Sequence, residues 1–187
     1  MIGFDYVLML TQRDTDISQH LLYLYLLATE IGAKTVVEIG AGQSTYALTA
    51  AVNKTKGEFY SIDLSEESRL RLFPQGEGVL EKEPRYHFIK GNSVINDTPL
   101  GDSVVKSWDK EIDFLFIDSA HTYDVTIKEL NLWVKWVRKG GIICLHDTST
   151  HWTDCRKALE DYLADKKDQF LRLQFENQNG FTILKKL

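Results

Sequence analysis

The chain has little to cross-link it, little to break its helices and no surplus of positive charge: two cysteines, three prolines, and 22 Lys plus Arg against 27 Asp plus Glu. Cys144 and Cys155 match neither a metal-clip nor a redox-pair spacing and lie in apolar-periodic segments. Disulfide chemistry is therefore not expected, and reduced thiols suit a cytoplasmic location. With a formal net charge of −5, a nucleic-acid partner would have to be met by a local basic patch. The short clusters Lys166-Lys167 and Lys185-Lys186 read as solvated faces, so no nucleic-acid partner is expected. The longest apolar stretch, near residues 21–28, falls far short of the ~20 residues of a membrane span, and no membrane partner is expected. Residues Met1 to Asp5 lack a basic region leading into an apolar core, so no signal peptide is expected either.

What is present is an ordinary globular composition, 43% hydrophobic and 26% charged, over 187 residues. That length fits a single domain spanning 1–187, with residues 1–33 as a helical arm or lid. Asp16 can cap a helix carrying Ile17, Leu21, Leu24, Ala28 and Ile31 on one face, with Gly32 as its stop. Strands are expected at Thr35–Ile39, Glu58–Ile62, Tyr86–Lys90, Ile112–Ile117 and Ile142–Leu145. Helical patterns run through Tyr46, Leu48 and Val52, through Val125, Leu130, Trp133 and Val137 up to Lys139-Gly140-Gly141, and through Cys155, Ala158, Leu159, Tyr162 and Leu163. A short helix is expected around Ser65–Phe73, before a loop with Pro74, Gly76 and Gly78. Phe170–Phe175 and Phe181–Leu184 flank an Asn179-Gly180 hairpin signal. The alternation predicts an α/β fold: a Rossmann-like, doubly wound sheet of about seven strands, mostly parallel, with an antiparallel C-terminal hairpin.

In such sheets ligands sit beyond the carboxyl ends of the strands, and polar residues collect there. The first strand ends in Glu38 and Gly40-Ala41-Gly42, the second in Asp63, the third in Asn92-Ser93, the fourth in Asp118 and the fifth in His146-Asp147. Gly40 and Gly42 allow a tight turn close to a ligand, and Asp63, roughly 20 residues on, suits a ribose hydroxyl pair. Thr45 stands where a dinucleotide fingerprint has its third glycine, and Glu38 adds negative charge beside the loop. Both features count against a nicotinamide dehydrogenase and favour a cationic or neutral adenosine cofactor.

Here the sequence resembles a known family. Glu38-Ile-Gly-Ala-Gly-Gln-Ser-Thr45 is similar to motif I of class I methyltransferases that use S-adenosylmethionine, and Ile62-Asp63 to their second motif. Phe116-Ile-Asp-Ser-Ala-His-Thr-Tyr123 and Gly140-Gly-Ile-Ile-Cys-Leu-His-Asp-Thr148 resemble the small-molecule O-methyltransferase branch that includes macrocin-type and cephalosporin-cluster enzymes. The resemblance implies that Gly40, Gly42 and Glu38 lie by the methionine part of the cofactor, that Asp63 holds the ribose and that Asn92 and Ser93 flank the adenine. It implies Asp118 at the junction of cofactor and acceptor, Asp118 and Asp147 as ligands of a divalent metal, and His121 as a base near the acceptor. His146 departs from the acidic residue seen at its place in some metal-dependent relatives, and joins the candidate ligands.

The reaction so implied is in-line transfer of a methyl group to a hydroxyl, which must first be made nucleophilic. A cation on Asp118 and Asp147 would lower the hydroxyl pKa, and His121 could take the proton. Carboxylates alone favour Mg²⁺ or Mn²⁺, whereas adding His146 or His151 shifts the preference toward zinc, iron or nickel. Trp152 stands in a loop facing the expected acceptor. The expected partner is a small-molecule acceptor, and a homo-oligomer is compatible with the sequence. The alternative from another class is a non-catalytic subunit that binds S-adenosylmethionine as a partner or sensor.

Overall fold

The computed structural model describes residues 1–65, 79–94 and 103–187. Among the described residues there are seven strands: β1 (Thr35–Ile39), β2 (Glu58–Asp63), β3 (Tyr86–Lys90), β4 (Ile112–Ile117), β5 (Val137–His146), β6 (Phe170–Phe175) and β7 (Phe181–Lys186). They form one sheet in the order β3-β2-β1-β4-β5-β7-β6. The first five run parallel; β7 lies antiparallel to both β5 and β6. The expected doubly wound sheet with an antiparallel hairpin is thus the fold observed.

The α-helices among the described residues are α1 (Phe4–Thr11), α2 (Leu21–Glu30), α3 (Ser44–Thr55), α4 (Val104–Ser107), α5 (Tyr123–Trp133) and α6 (Thr153–Leu163). Period-two alternation sends successive strand residues into opposite cores. Val36, Phe59, Phe114 and Phe116 pack with α1, α2 and α3, whereas Val37, Ile62, Leu115 and Ile117 pack with Leu130 and Trp133 of α5 and Leu159 of α6. Both faces being covered, the strands read as continuous apolar runs. Each such buried side chain contributes roughly 1.5–3 kcal/mol over its exposed state.

Three local expectations are corrected. Asp16 does not cap α2, which starts at Leu21 after a run of turns through His20, although Gly32, with φ of 62°, closes it as expected. The arm also holds α1, which periodicity did not separate. The helix through Val125 ends at Trp133, and a 3₁₀ turn, Val134–Trp136, leads straight into β5. Gly140 and Gly141 lie inside that strand, opposite a register shift between Ile112 and Phe114. A side chain at Gly141 would come within 2.7 Å of Val137 Cγ1, so the pair accommodates a bulge rather than ending a helix. The short helix expected around Ser65–Phe73 lies, from residue 66 on, outside the described residues.

Candidate active site

β1 and β4 are neighbours whose following helices cover opposite faces, and this switch in winding opens a crevice at their carboxyl ends. A cavity of about 490 Å³ occupies it, lined by Gly40, Ala41, Asp63, Asn92, Ser93 and Asp118 among others. The volume is that of a small-molecule site. Its described wall carries three carboxylates, Asp63, Asp118 and Glu129, and no Lys, Arg or His.

The Gly40 turn is shaped by its neighbours. Gly40 has φ of +92°, and a Cβ there would stand 1.9 Å from the Asp118 carbonyl oxygen. Gly42 has no positive φ, and among the described residues its Cβ would meet only Ser44 Oγ at 3.7 Å, so of the two Gly40 is the one the described surroundings require. Asp63 Oδ2 accepts from the Ala41 amide at 3.0 Å and Oδ1 from the Ser65 amide at 2.9 Å, which ties the end of β2 to the glycine turn. Asn92 Oδ1 accepts from the Val94 amide at 3.1 Å and shapes the turn after β3.

Glu38 points away from the cavity, beneath α3. It accepts hydrogen bonds from Ser44, from Thr45 Oγ1 at 2.7 Å and from Ser61 Oγ at 2.6 Å. Thr45, the residue in the third-glycine place, is therefore a clamp on Glu38. Complete burial outweighs the three hydroxyls and raises the Glu38 pKa from 4.5 to about 8. A raised carboxyl pKa contributes stability that is full below the unfolded value of 4.5 and lost as pH rises through about 8. Urea titrations across this window should show wild-type stability falling with pH and Glu38→Gln flattening the slope; an unchanged slope in the variant would refute the assignment.

The ends of β4 and β5 bring a second group together. His121 Nε2 lies 3.1 Å from Asp118 Oδ1 and 2.9 Å from Asp147 Oδ2. These three side chains offer ligand atoms all within 4.8 Å of one another. His121 and Asp147 both adopt left-handed backbone, with φ of 51° and 55°, which turns their side chains inward. Hydrogen bonds to Asp118 and Asp147 raise the His121 pKa to about 10, so in this arrangement its ring is an imidazolium. Burial opposes charge on both aspartates, yet the two histidines lower the pKa of each, that of Asp147 well below the usual carboxylate range.

His146 stands behind this group rather than in it. Its Nε2 donates to the Asp16 carbonyl at 3.1 Å and the Gln178 carbonyl at 3.0 Å, leaving Nδ1 3.4 Å from Asp147 Oδ1 and 3.6 Å from Asp118 Oδ1. Burial disfavours its charge, but the two carboxylates outweigh that and raise its pKa to about 10. Asp147 Oδ1 is buried without a hydrogen-bond partner among the described residues and faces this cluster. His151 is exposed and outside the cluster, while the Trp152 ring meets His121 edge-on at 5.4 Å.

The model of a methyltransferase domain family matches residues 37–148, from β1 to just past the Asp147 turn. The chain belongs to this methyltransferase family. Among solved structures, the methyltransferase is similar to an O-methyltransferase from Bacillus cereus in complex with SAH, at 17% identity and a TM-score of 0.68, covering 98% of this chain and 90% of that one. It is also similar to SAH-bound PaMTH1 from Podospora anserina, at 16% identity and a TM-score of 0.67, covering 97% and 86%. A third similarity is to the O-methyltransferase NovP, at 13% identity and a TM-score of 0.67, covering 90% and 80%. At these identities the likeness establishes a shared fold.

Sequence reasoning missed three residues of this methyltransferase site. Glu129, on the buried stripe of α5, accepts from Ser93 Oγ at 2.6 Å and from Ser119 Oγ at 2.8 Å. An acid one residue before Leu130 in an apolar stripe was the available signal. His20 is fully buried against the Phe181 ring at 4.8 Å and beside His146 at 5.5 Å. Burial, then the His146 charge, lowers its pKa to about 4 and keeps it neutral. Gln178, at the tip of the β6–β7 hairpin, donates to the Thr15 carbonyl at 2.8 Å and Ser18 Oγ at 3.0 Å and accepts from the Gln19 amide at 2.7 Å. Through Gln178 the methyltransferase fastens its N-terminal arm over His146, a long-range contact with no sequence pattern.

Proposed function

We propose that this methyltransferase transfers the methyl group of S-adenosylmethionine to a hydroxyl of a small molecule, in the manner of the macrocin-type and cephalosporin-cluster branch. The observation that carries this reading is the adjacency of the cavity and the Asp118-His121-Asp147 cluster, with Asp118 common to both. A wall with three carboxylates and no described basic side chain complements a sulfonium cation and opposes a polyanionic dinucleotide. Gly40 and Ala41 would lie along the methionine part, Asp63 would hold the ribose, and Asn92 and Ser93 would flank the adenine.

Asp147 Oδ1, buried with no hydrogen bond among the described residues, the paired carboxylates and an imidazole nitrogen form a donor set suited to a divalent cation. Asp118, Asp147 and His121 would hold it, and His146, already donating through Nε2 to two carbonyls, would orient the aspartates from behind or add Nδ1. Mg²⁺ suits the carboxylates; the imidazole admits zinc, iron or nickel. When bound, the cofactor supplies the methyl group and the cation supplies Lewis-acid polarisation of the acceptor oxygen. Once Asp118 and Asp147 no longer hold the proton at His121 Nε2, that nitrogen can serve either as a ligand of the cation or as the acceptor of the hydroxyl proton, since it has one lone pair. Trp152 gives the acceptor an apolar wall beside that atom.

Isothermal titration calorimetry tests the first step. Micromolar binding of S-adenosylmethionine or S-adenosylhomocysteine is expected, and absence of binding by both sinks the reading. Cofactor binding without turnover on a broad library of hydroxyl compounds would instead favour the non-catalytic alternative.

A further inference from the structure

Glu129 is fully buried, yet it belongs to the wall of the cavity, and beyond its share in the negative charge of that wall it has been given no part in the chemistry. It is carried by α5, whose neighbours Leu130 and Trp133 are locked in the core, and Trp133 Nε1 donates to the Ser93 carbonyl at 2.7 Å. The carboxylate is therefore held firmly against the turns that follow β3 and β4. Ser93 Oγ donates to Oε1 at 2.6 Å; Ser119 Oγ lies 2.8 Å from both Oε1 and Oε2.

A serine hydroxyl has one proton and two lone pairs, and an ionised carboxylate accepts only. Both hydroxyl protons are committed to Glu129, so Ser93 and Ser119 offer the cavity lone pairs alone. Both serines line the cavity and share this one carboxylate, so the groups they can turn to an exocyclic amine there are acceptors. A carbonyl oxygen in the same place would face lone pairs.

We propose that Glu129 is a positioning residue that fixes Ser93 and Ser119 as hydrogen-bond acceptors, so that the cavity selects a 6-amino purine over a 6-oxo purine. This rests on the cavity being the S-adenosylmethionine pocket, with its purine at the Asn92-Ser93 end. A carboxylate that only tied α5 to the strand ends would support both purines equally. Burial pushes the Glu129 pKa up to about 7 against the two serines, which favour the ionised form, so the measurement belongs at about pH 8.

Calorimetry with S-adenosylhomocysteine and S-inosylhomocysteine, on the full chain, tests it. The wild type is expected to bind the amino compound at least about tenfold more tightly than the oxo compound, since an unmatched polar group in such a site is costly. In Glu129→Gln the amide can donate to one serine and turn that hydroxyl proton outward, so the ratio should fall to about one. Equal weakening of both ligands with the ratio preserved overturns the proposal and leaves Glu129 a structural tie. A wild type that binds S-adenosylhomocysteine without discriminating overturns it too, while a wild type that binds neither compound removes the cofactor reading itself. Should Glu129→Gln fail to fold, Ser93→Ala deletes one acceptor and leaves the carboxylate paired with Ser119; a preference undiminished in that variant overturns the proposal equally.

Discussion

Asp147→Asn is expected to reduce methyl transfer by about 10²–10⁴-fold, the range associated with losing positioned proton-transfer or metal assistance. Asparagine is the informative replacement because Asp147 has φ of 55°, a conformation that asparagine also tolerates, and because it keeps the shape of the side chain. What disappears is the charge that pairs with His121 at 2.9 Å and His146 at 3.4 Å. Asp147 does not line the cavity, so affinity for S-adenosylhomocysteine should change less than about threefold. A chelator should bring wild-type activity down toward that of the variant. Full activity of Asp147→Asn in chelator would exclude the cation from the reaction.

Gly40→Ala should be the most damaging single substitution in the cofactor turn. Its Cβ would lie 1.9 Å from the Asp118 carbonyl oxygen and 2.7 Å from the Asp118 carbonyl carbon, and backbone atoms cannot rotate aside. Relief requires moving β1 away from its neighbours, yet the Gly40 amide donates to the Ile62 carbonyl and the Asp118 amide to the Ile39 carbonyl, both at 2.9 Å. Left-handed strain and overpacking together cost about 2–4 kcal/mol, a fall in Tm of roughly 5–15 °C for a domain of this size. S-adenosylhomocysteine binding should be lost with it, because Asp118 shifts. Gly42→Ala, with an ordinary φ and one 3.7 Å neighbour, should change stability by less than about 0.5 kcal/mol. Equal thermal shifts in the two variants would refute this steric account.

Much of the site was legible because strand ends are legible. An apolar run that stops at Asp63, Asp118 or His146 shows where the chain leaves the sheet, and parallel strands bring such ends to one edge. The role of each residue there was less legible. Glu38 and Asp118 both look like acids facing a ligand, but in the structure Glu38 is enclosed by three hydroxyls while Asp118 lines the cavity. Gly40 and Gly42 look alike in the motif and differ in φ and in surroundings. His121 reads as a free base, whereas the ion pairs around it hold its proton.

The amino-acid sequence by itself determined the order and type of the strands, the antiparallel hairpin and the edge of the sheet where chemistry collects, because hydrophobic period and turn residues are local properties. Only the tertiary structure decided what each polar group does. Hydrogen-bond partners such as Gln178 and Asp16 for His146, or Ser93 for Glu129, come from segments far apart in the chain. Protonation and orientation follow from those partners and from burial, and neither exists until the chain has folded.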